Sequence, residues 1–169
     1  MADVREEIYE SYKTPIYNYF YKAILNAHTA EDLTEDTFFK AFKYFTSFKG
    51  ESSAKTWLFK IARNILIDYF KTPYRYTEDI TEFNIAEPED MISAANERII
   101  IKQVMDKLEE EERSLIILRD VNGLAYTEIA HIMNYTEGKV KIGLHRSRKK
   151  FKELYEFQCR EGVKNETRL

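Results

Sequence analysis

Between Lys139 and Lys152 stand seven basic residues, Lys139, Lys141, Arg146, Arg148, Lys149, Lys150 and Lys152, and no acidic one. Such a cluster neutralises phosphate, and what it achieves beyond that depends on the backbone that carries it. Just upstream the chain reads "YTEIAHIMNYTEGK". Thr127 is the expected cap of a short helix that buries Ile129, Ala130 and Ile132 or Met133. Asn134 falls where the chain must turn sharply, and asparagine accepts the left-handed backbone better than other non-glycine residues. Thr136 then caps a second helix. Val140 and Leu144 face inward on it, leaving Lys139, Lys141, Ile142, His145, Arg146 and Lys149 outside. A short helix, a tight turn and a longer helix with a cationic outer face predict a helix-turn-helix, whose second helix reads base edges in the major groove. Ile142 can touch a thymine methyl there. Gly143 costs about 1 kcal/mol of helix propensity and allows close backbone approach.

No other chemistry competes with this one. His28, His131 and His145 lack metal-ligand spacing, no Gly-rich phosphate loop exists, and Cys159 is the lone cysteine. Glu109–Glu112 resemble a catalytic cluster, but a helix start attracts acids without any catalytic need. No enzyme, metal or cofactor is expected. The net charge of −3 argues against nucleic acid only as an average, because the local field decides what docks where. Seven acids and no Lys or Arg lie between Glu78 and Glu97, whereas residues 38–75 hold eight bases against Glu51 and Asp68. Two basic lobes flank an acidic middle. A single cysteine and the lack of a signal peptide or a membrane-length apolar window point to the cytoplasm, with no direct membrane insertion.

The elements that position these residues are helical. Few Gly and Pro favour an all-α fold of two small helical domains joined by a flexible acidic linker: 1–72, a linker at 73–92, and 93–169 ending in the helix-turn-helix. In the first lobe, Ile8, Tyr12, Ile16, Tyr19, Phe20 and Ala23 follow helical spacing, with a kink or break expected near Thr14 because of Pro15. A second helix, capped by Thr29 or Thr34, carries a stripe of Leu33, Thr37, Phe38, Ala41, Phe42 and Phe45. After the loop at Gly50, Ser53 caps a third helix with the stripe Trp57, Leu58, Ile61, Ala62, Ile65, Leu66 and Tyr69. It should end at Thr72, ahead of Pro73. The second lobe comprises four helices, one of them stopped by Gly123.

Two phrases carry a family resemblance. "AEDLTEDTFFKAFKYFTSFKGESSAKTWLFKIARNILIDYFK" resembles the promoter-opening domain of bacterial sigma factors, and "LEEEERSLIILRDVNGLAYTEIAHIMNYTEGKVKIGLHRSRKKF" resembles their C-terminal domain. With only these two domains in a short chain, it is similar to the extracytoplasmic-function (ECF) group of the sigma-70 family. The resemblance implies core RNA polymerase and promoter DNA as partners, together with an inhibitory anti-sigma factor. It places contacts to a coiled coil of the polymerase's largest subunit on Asp32, Leu33, Glu35, Asp36, Phe38 and Lys40. Capture of an unstacked −10 base falls to Phe48, Lys49, Gly50, Glu51, Ser52, Ser53 and Lys55, beside a helix face of Lys60, Arg63, Asn64 and Asp68. Contacts to a −35 duplex fall on Lys139, Lys141, Ile142, His145 and Arg146, with Arg148 and Lys149 on the backbone. Asn64 also stands out bottom-up, since it lies off the apolar stripe and its amide can read a base edge. Phe38, Phe42, Phe45 and Trp57 are expected in the core. The alternative is a helix-turn-helix regulator that works without polymerase, which would need neither the Phe48–Lys55 loop nor the acidic start of the second helix.

Overall fold

The computed structural model describes residues 3–72 and 89–166 of the chain. Helix α1 spans Val4–Ile24, α2 Ala27–Lys43 and α3 Ala54–Lys71, with a single 3-10 turn at Phe45–Ser47 ahead of α3. The second lobe follows as α4 (Glu89–Lys107), α5 (Glu110–Ile116), α6 (Tyr126–Met133) and α7 (Glu137–Glu166). No strand forms among the described residues.

Helix α1 starts at Asp3, whose carboxylate accepts from Arg5 N at 3.1 Å, and ends at Leu25 in the left-handed region (φ 56°). It continues through Pro15 without the break that was the alternative to a kink there. The energies explain why. An interior proline costs about 3 kcal/mol, whereas burying one large apolar side chain yields about 1.5–3 kcal/mol. Ile16, Tyr19 and Phe20, all on the helix just past the proline, are fully buried against the rest of the lobe. The Pro15 carbonyl also accepts from Asn122 Nδ2 at 2.9 Å, a contact to the second lobe.

Helix α2 is capped by Asn26, which accepts from Thr29 N at 2.9 Å, and not by Thr29 or Thr34. The helix begins at Ala27, so both threonines lie inside it, and Thr34 Oγ1 donates to the Ala30 carbonyl. Asparagine caps at least as well as threonine. Ser53 caps α3 as expected, accepting from Thr56 N at 3.2 Å, and the helix closes at Lys71 with Thr72 as its C-cap. Its buried face is wider than the expected stripe and includes Phe59, because α3 packs on α1 and α2 on one side and on α6 on the other.

Helix α4 begins at Glu89, so residues 89–92 belong to a helix and not to the connection; the remainder of the expected tether lies outside the described residues. Arg113 is buried, an unusual place for a guanidinium. It donates to the Met105 and Leu108 carbonyls, each at 3.0 Å, and so satisfies the C-terminal end of α4. It also lies 4.0 Å from the centroid of the Phe70 ring in α3. Helix α5 opens with the Glu112 carboxylate accepting from Glu109 N at 2.8 Å. It then widens into a π turn at Ile117–Val121, which no periodicity announced, and Gly123 (φ 67°) stops it. Buried side chains of both lobes form one continuous hydrophobic cluster, meeting where α3 lies against α6 and α1 against the π turn.

Candidate nucleic-acid interface

The helix-turn-helix is built as its residue types require, except at its start. Helix α6 begins at Tyr126 after the cap position Ala125, so Thr127 lies in the first turn. Glu128 does the capping, its carboxylate accepting from Ala125 N at 2.8 Å. A carboxylate three residues into a helix reaches back to the cap position readily, which a threonine at the second position cannot do. Ile129, Ala130, Ile132 and Met133 are all buried. Asn134 adopts φ 55° and ψ 48°, and Thr136 Oγ1 accepts from Lys139 N at 3.1 Å to start α7.

On α7, Val140 and Leu144 are buried, while Lys139, Lys141, Ile142, His145, Arg146, Arg148 and Lys149 are exposed. Ile142 is 56% exposed, unusual for an isoleucine that packs on nothing. Gly143 faces the other way. A Cβ there would meet Leu115 Cδ1 at 2.7 Å, so the glycine serves the crossing of α5 over α7 and not an approach to DNA. Ser147 is buried beside it and donates to the Gly143 carbonyl.

The cations of this face divide into two sets. Arg148 makes a two-pronged ion pair with Asp120 of the π turn, its Nε at 2.9 Å, and Lys150 pairs with Glu112 at 2.8 Å. The Asp120 hydrogen bond holds the Arg148 guanidinium above its ordinary pKa. These two residues tie α7 to α5 and the π turn. Lys139, Lys141, Arg146 and Lys149 have no carboxylate partner among the described residues. Lys139 instead sits 3.4 Å over the Tyr135 ring, and Lys141 and Arg119 lie 5.5 and 4.8 Å from the Tyr126 ring. Burial, and then a hydrogen bond to Glu111, push the Tyr135 phenol up to about 12. Tyr126, Tyr135 and Asp120 were not singled out in the sequence. The two tyrosines flank the short helix and its turn, and that placement was the only available signal.

In the first lobe the Phe48–Lys55 loop is anchored by aromatic contact. The Phe48 ring lies 4.8 Å from Trp57 and 6.4 Å from Phe45, and Phe45 lies 6.3 Å from Trp57. Phe42, Phe45 and Trp57 are half-buried, and of the four aromatics expected in the core only Phe38 is fully inside. Lys49, Gly50 (φ 68°), Glu51 and Ser53 are exposed, and Ser52 is half-buried. Asn64 and Asp68 project from α3 into solvent, as does Lys60. Arg63 does not. Its Nη2 pairs with Glu110 Oε2 of the second lobe at 2.7 Å, and Lys55 Nζ lies 3.4 Å from Glu128 Oε1.

On α2, Asp32, Glu35, Asp36 and Lys40 are exposed along one side. Leu33 and Phe38 are each 2% exposed, so they hold the helix in place and cannot touch a partner directly in this conformation. Glu35 accepts from the Tyr9 hydroxyl at 2.9 Å, and Asp32 lies 3.1 Å from His28 Nδ1. Both carboxylates are therefore oriented on the surface.

Residues 8–76 match the Sigma-70 region 2 family and residues 98–151 the Sigma-70 region 4 family. The chain is 34% identical to the RNA polymerase sigma factor YlaC of Bacillus subtilis, over 89% of its own length and 91% of that protein. It is 32% identical to the ECF RNA polymerase sigma factor SigW of the same organism, with 86% of each covered. Among solved structures, CnrH in complex with the cytosolic domain of CnrY shares the fold, with a TM-score of 0.70 over 90% of this chain and 87% of that one at 18% identity. So does the sigma factor RpoE in complex with the anti-sigma factor NepR from Bartonella quintana, at a TM-score of 0.66 and 24% identity, with 89% and 96% covered. Both halves of the molecule, in this order, lead to the same assignment: the chain belongs to the extracytoplasmic-function group of the sigma-70 family, non-enzymatic factors that direct promoter-specific transcription with RNA polymerase.

Proposed function

We infer that the two lobes divide promoter recognition between them. The N-terminal half of α7 enters the major groove of a −35 duplex, with Lys139, Lys141, Ile142, His145 and Arg146 toward the bases and Lys149 on the backbone. The Phe48–Lys55 loop takes up a −10 base that has left the stack. Opening a duplex costs a few kcal/mol per step, and stacking one base on an aromatic platform recovers about 1–3 kcal/mol. Asn64, Lys60, Arg63 and Asp68 form the helix face beside that pocket. The exposed carboxylates of α2, Asp32, Glu35 and Asp36, with Lys40, dock on the coiled coil of the polymerase's largest subunit. The acidic stretch 73–88 follows the polymerase's basic channels, where its charge mimics nucleic acid. The chain works in the cytoplasm, and an anti-sigma factor silences it by covering the polymerase-binding surfaces, as the sigma factor RpoE of Bartonella quintana is bound by the anti-sigma factor NepR.

The observation that carries this reading is the cationic outer face of α7 behind a left-handed Asn134 turn, in one chain with an aromatic-anchored loop between α2 and α3. In vitro transcription with core polymerase over a promoter library tests it. Initiation should concentrate at templates that share two elements, and Lys141→Ala or Arg146→Ala should relax preference at the upstream one at a cost of about 1–3 kcal/mol. Dispersed initiation, or binding only to a palindromic duplex without polymerase, would favour a polymerase-independent regulator.

A further inference from the structure

The carboxylates proposed to dock on polymerase all stand on α2, yet one of them is held from another helix. Tyr9 of α1 donates through its hydroxyl to Glu35 Oε1 at 2.9 Å. Among the described residues Asp32 meets only His28 of its own helix, and Asp36 has no hydrogen-bond or ion-pair partner. The phenol that holds Glu35 is itself fixed. Its ring is half-buried and packs edge-on against Phe38 at 4.8 Å, and Phe38 is buried in the core of the lobe. Lys13, one turn further along α1, lies 5.4 Å from the Tyr9 ring centroid. The bond to Glu35 raises the phenol above its ordinary pKa, so the hydroxyl stays a donor at neutral pH.

The carboxylate so held remains available to a partner. Lys13 and Glu35 line one cleft of about 280 Å³ between α1 and α2, with Glu31 a turn before Glu35 on the same wall. The Lys13 ammonium pairs with Glu10 at 2.9 Å and not with Glu35. Glu35 Oε2 has no partner among the described residues. Glu35 therefore presents its charge at a fixed place. Immobilising a long side chain costs association free energy, and a side chain already held avoids that cost. We propose that Tyr9 is a positioning residue for polymerase docking, its hydroxyl holding the Glu35 carboxylate in the orientation that meets a cation of the polymerase coiled coil. The inference rests on the docking reading of α2 given above and brings α1 into a site whose assigned residues all lie on α2.

The test is competition between full-length variants and a fluorescently labelled parent chain for core RNA polymerase, read by anisotropy. Tyr9→Phe keeps the ring against Phe38 and removes only the donor. It should weaken binding by about three- to tenfold, the share of one immobilised side chain. The loss should vanish when Tyr9→Phe is added to Glu35→Ala, and persist in full when it is added to Asp36→Ala, because only Glu35 is coupled to the phenol. A Tyr9 that merely braced α1 against α2 would shift Asp36 as well, and its loss would survive without the Glu35 carboxylate. Parental affinity in Glu35→Ala removes the docking reading for that carboxylate and the proposal with it. A weakened Glu35→Ala beside an unaffected Tyr9→Phe, or a Tyr9→Phe loss that survives in Glu35→Ala, overturns the positioning role alone.

Discussion

The division of α7's cations into paired and unpaired sets predicts a specific salt dependence. Four outer-face bases, Lys139, Lys141, Arg146 and Lys149, lack a carboxylate partner among the described residues, while Arg148 is neutralised by Asp120. Each phosphate contact contributes about 0.9 to the slope of log affinity against log salt, and among these four Lys149 is the one placed on the backbone. Lys149→Ala should lower the slope by about 0.9, which is about a 3.5-fold smaller loss of affinity between 50 and 200 mM salt. Arg148→Ala should change the slope by much less, because the guanidinium brings its own counter-charge. Asp120→Asn should raise it by about 0.9 by releasing Arg148 to the backbone. The assay is equilibrium binding of reconstituted holoenzyme to one upstream promoter duplex across that salt range. The polymerase's own contacts are common to all variants and cancel in the differences. Equal slope losses for Lys149→Ala and Arg148→Ala, or no gain in Asp120→Asn, would show that the pairing does not persist on DNA and refute the division.

Asn64→Ala should impair transcription from duplex promoters by about 1–3 kcal/mol while leaving upstream duplex binding intact, as footprinting would show. Tyr19→Phe removes a fully buried hydroxyl that lies beside Ser114 without making a hydrogen bond of good geometry among the described residues, so urea unfolding at pH 7 should show about 1 kcal/mol of added stability. Burial holds that phenol above its ordinary pKa. A raised value in the folded state means its contribution is complete below the unfolded pKa of about 10 and is lost as pH rises beyond it; the phenylalanine variant should therefore lose less stability at pH 11 than the parent. Asn134→Ala should destabilise the second lobe by about 1 kcal/mol, and Asn134→Gly should not, both by thermal melting.

The legible parts of the fold were those decided within one or two turns of chain. Ser53, Thr136, Asn134 and Gly123 stand where caps and left-handed turns were expected, because cap chemistry is local. Misplaced starts had local rivals. Asn26 outcompeted two threonines for α2, and the Glu128 carboxylate, not Thr127, closed the start of α6. What could not be read was set by long-range packing. Arg63 and Glu110 are 47 residues apart, and nothing in either neighbourhood announces the other. The same holds for Gly143, whose reason is Leu115 on a different helix, and for Asp120, whose partner Arg148 is 28 residues away. The π turn left no periodic trace, since one widened turn shifts the stripe by a single residue.

Helix α7 is 30 residues long, about 45 Å at 1.5 Å per residue, and only its first few turns belong to the DNA-facing motif. Its later part packs along α4, where Lys107 lies 5.9 Å from the Phe157 ring. Groove-facing side chains and the helix that begins at Glu89 therefore share one stiff rod. If a duplex sets the angle at Lys139, as proposed, that angle is levered along α7 to Glu89, where α4 begins.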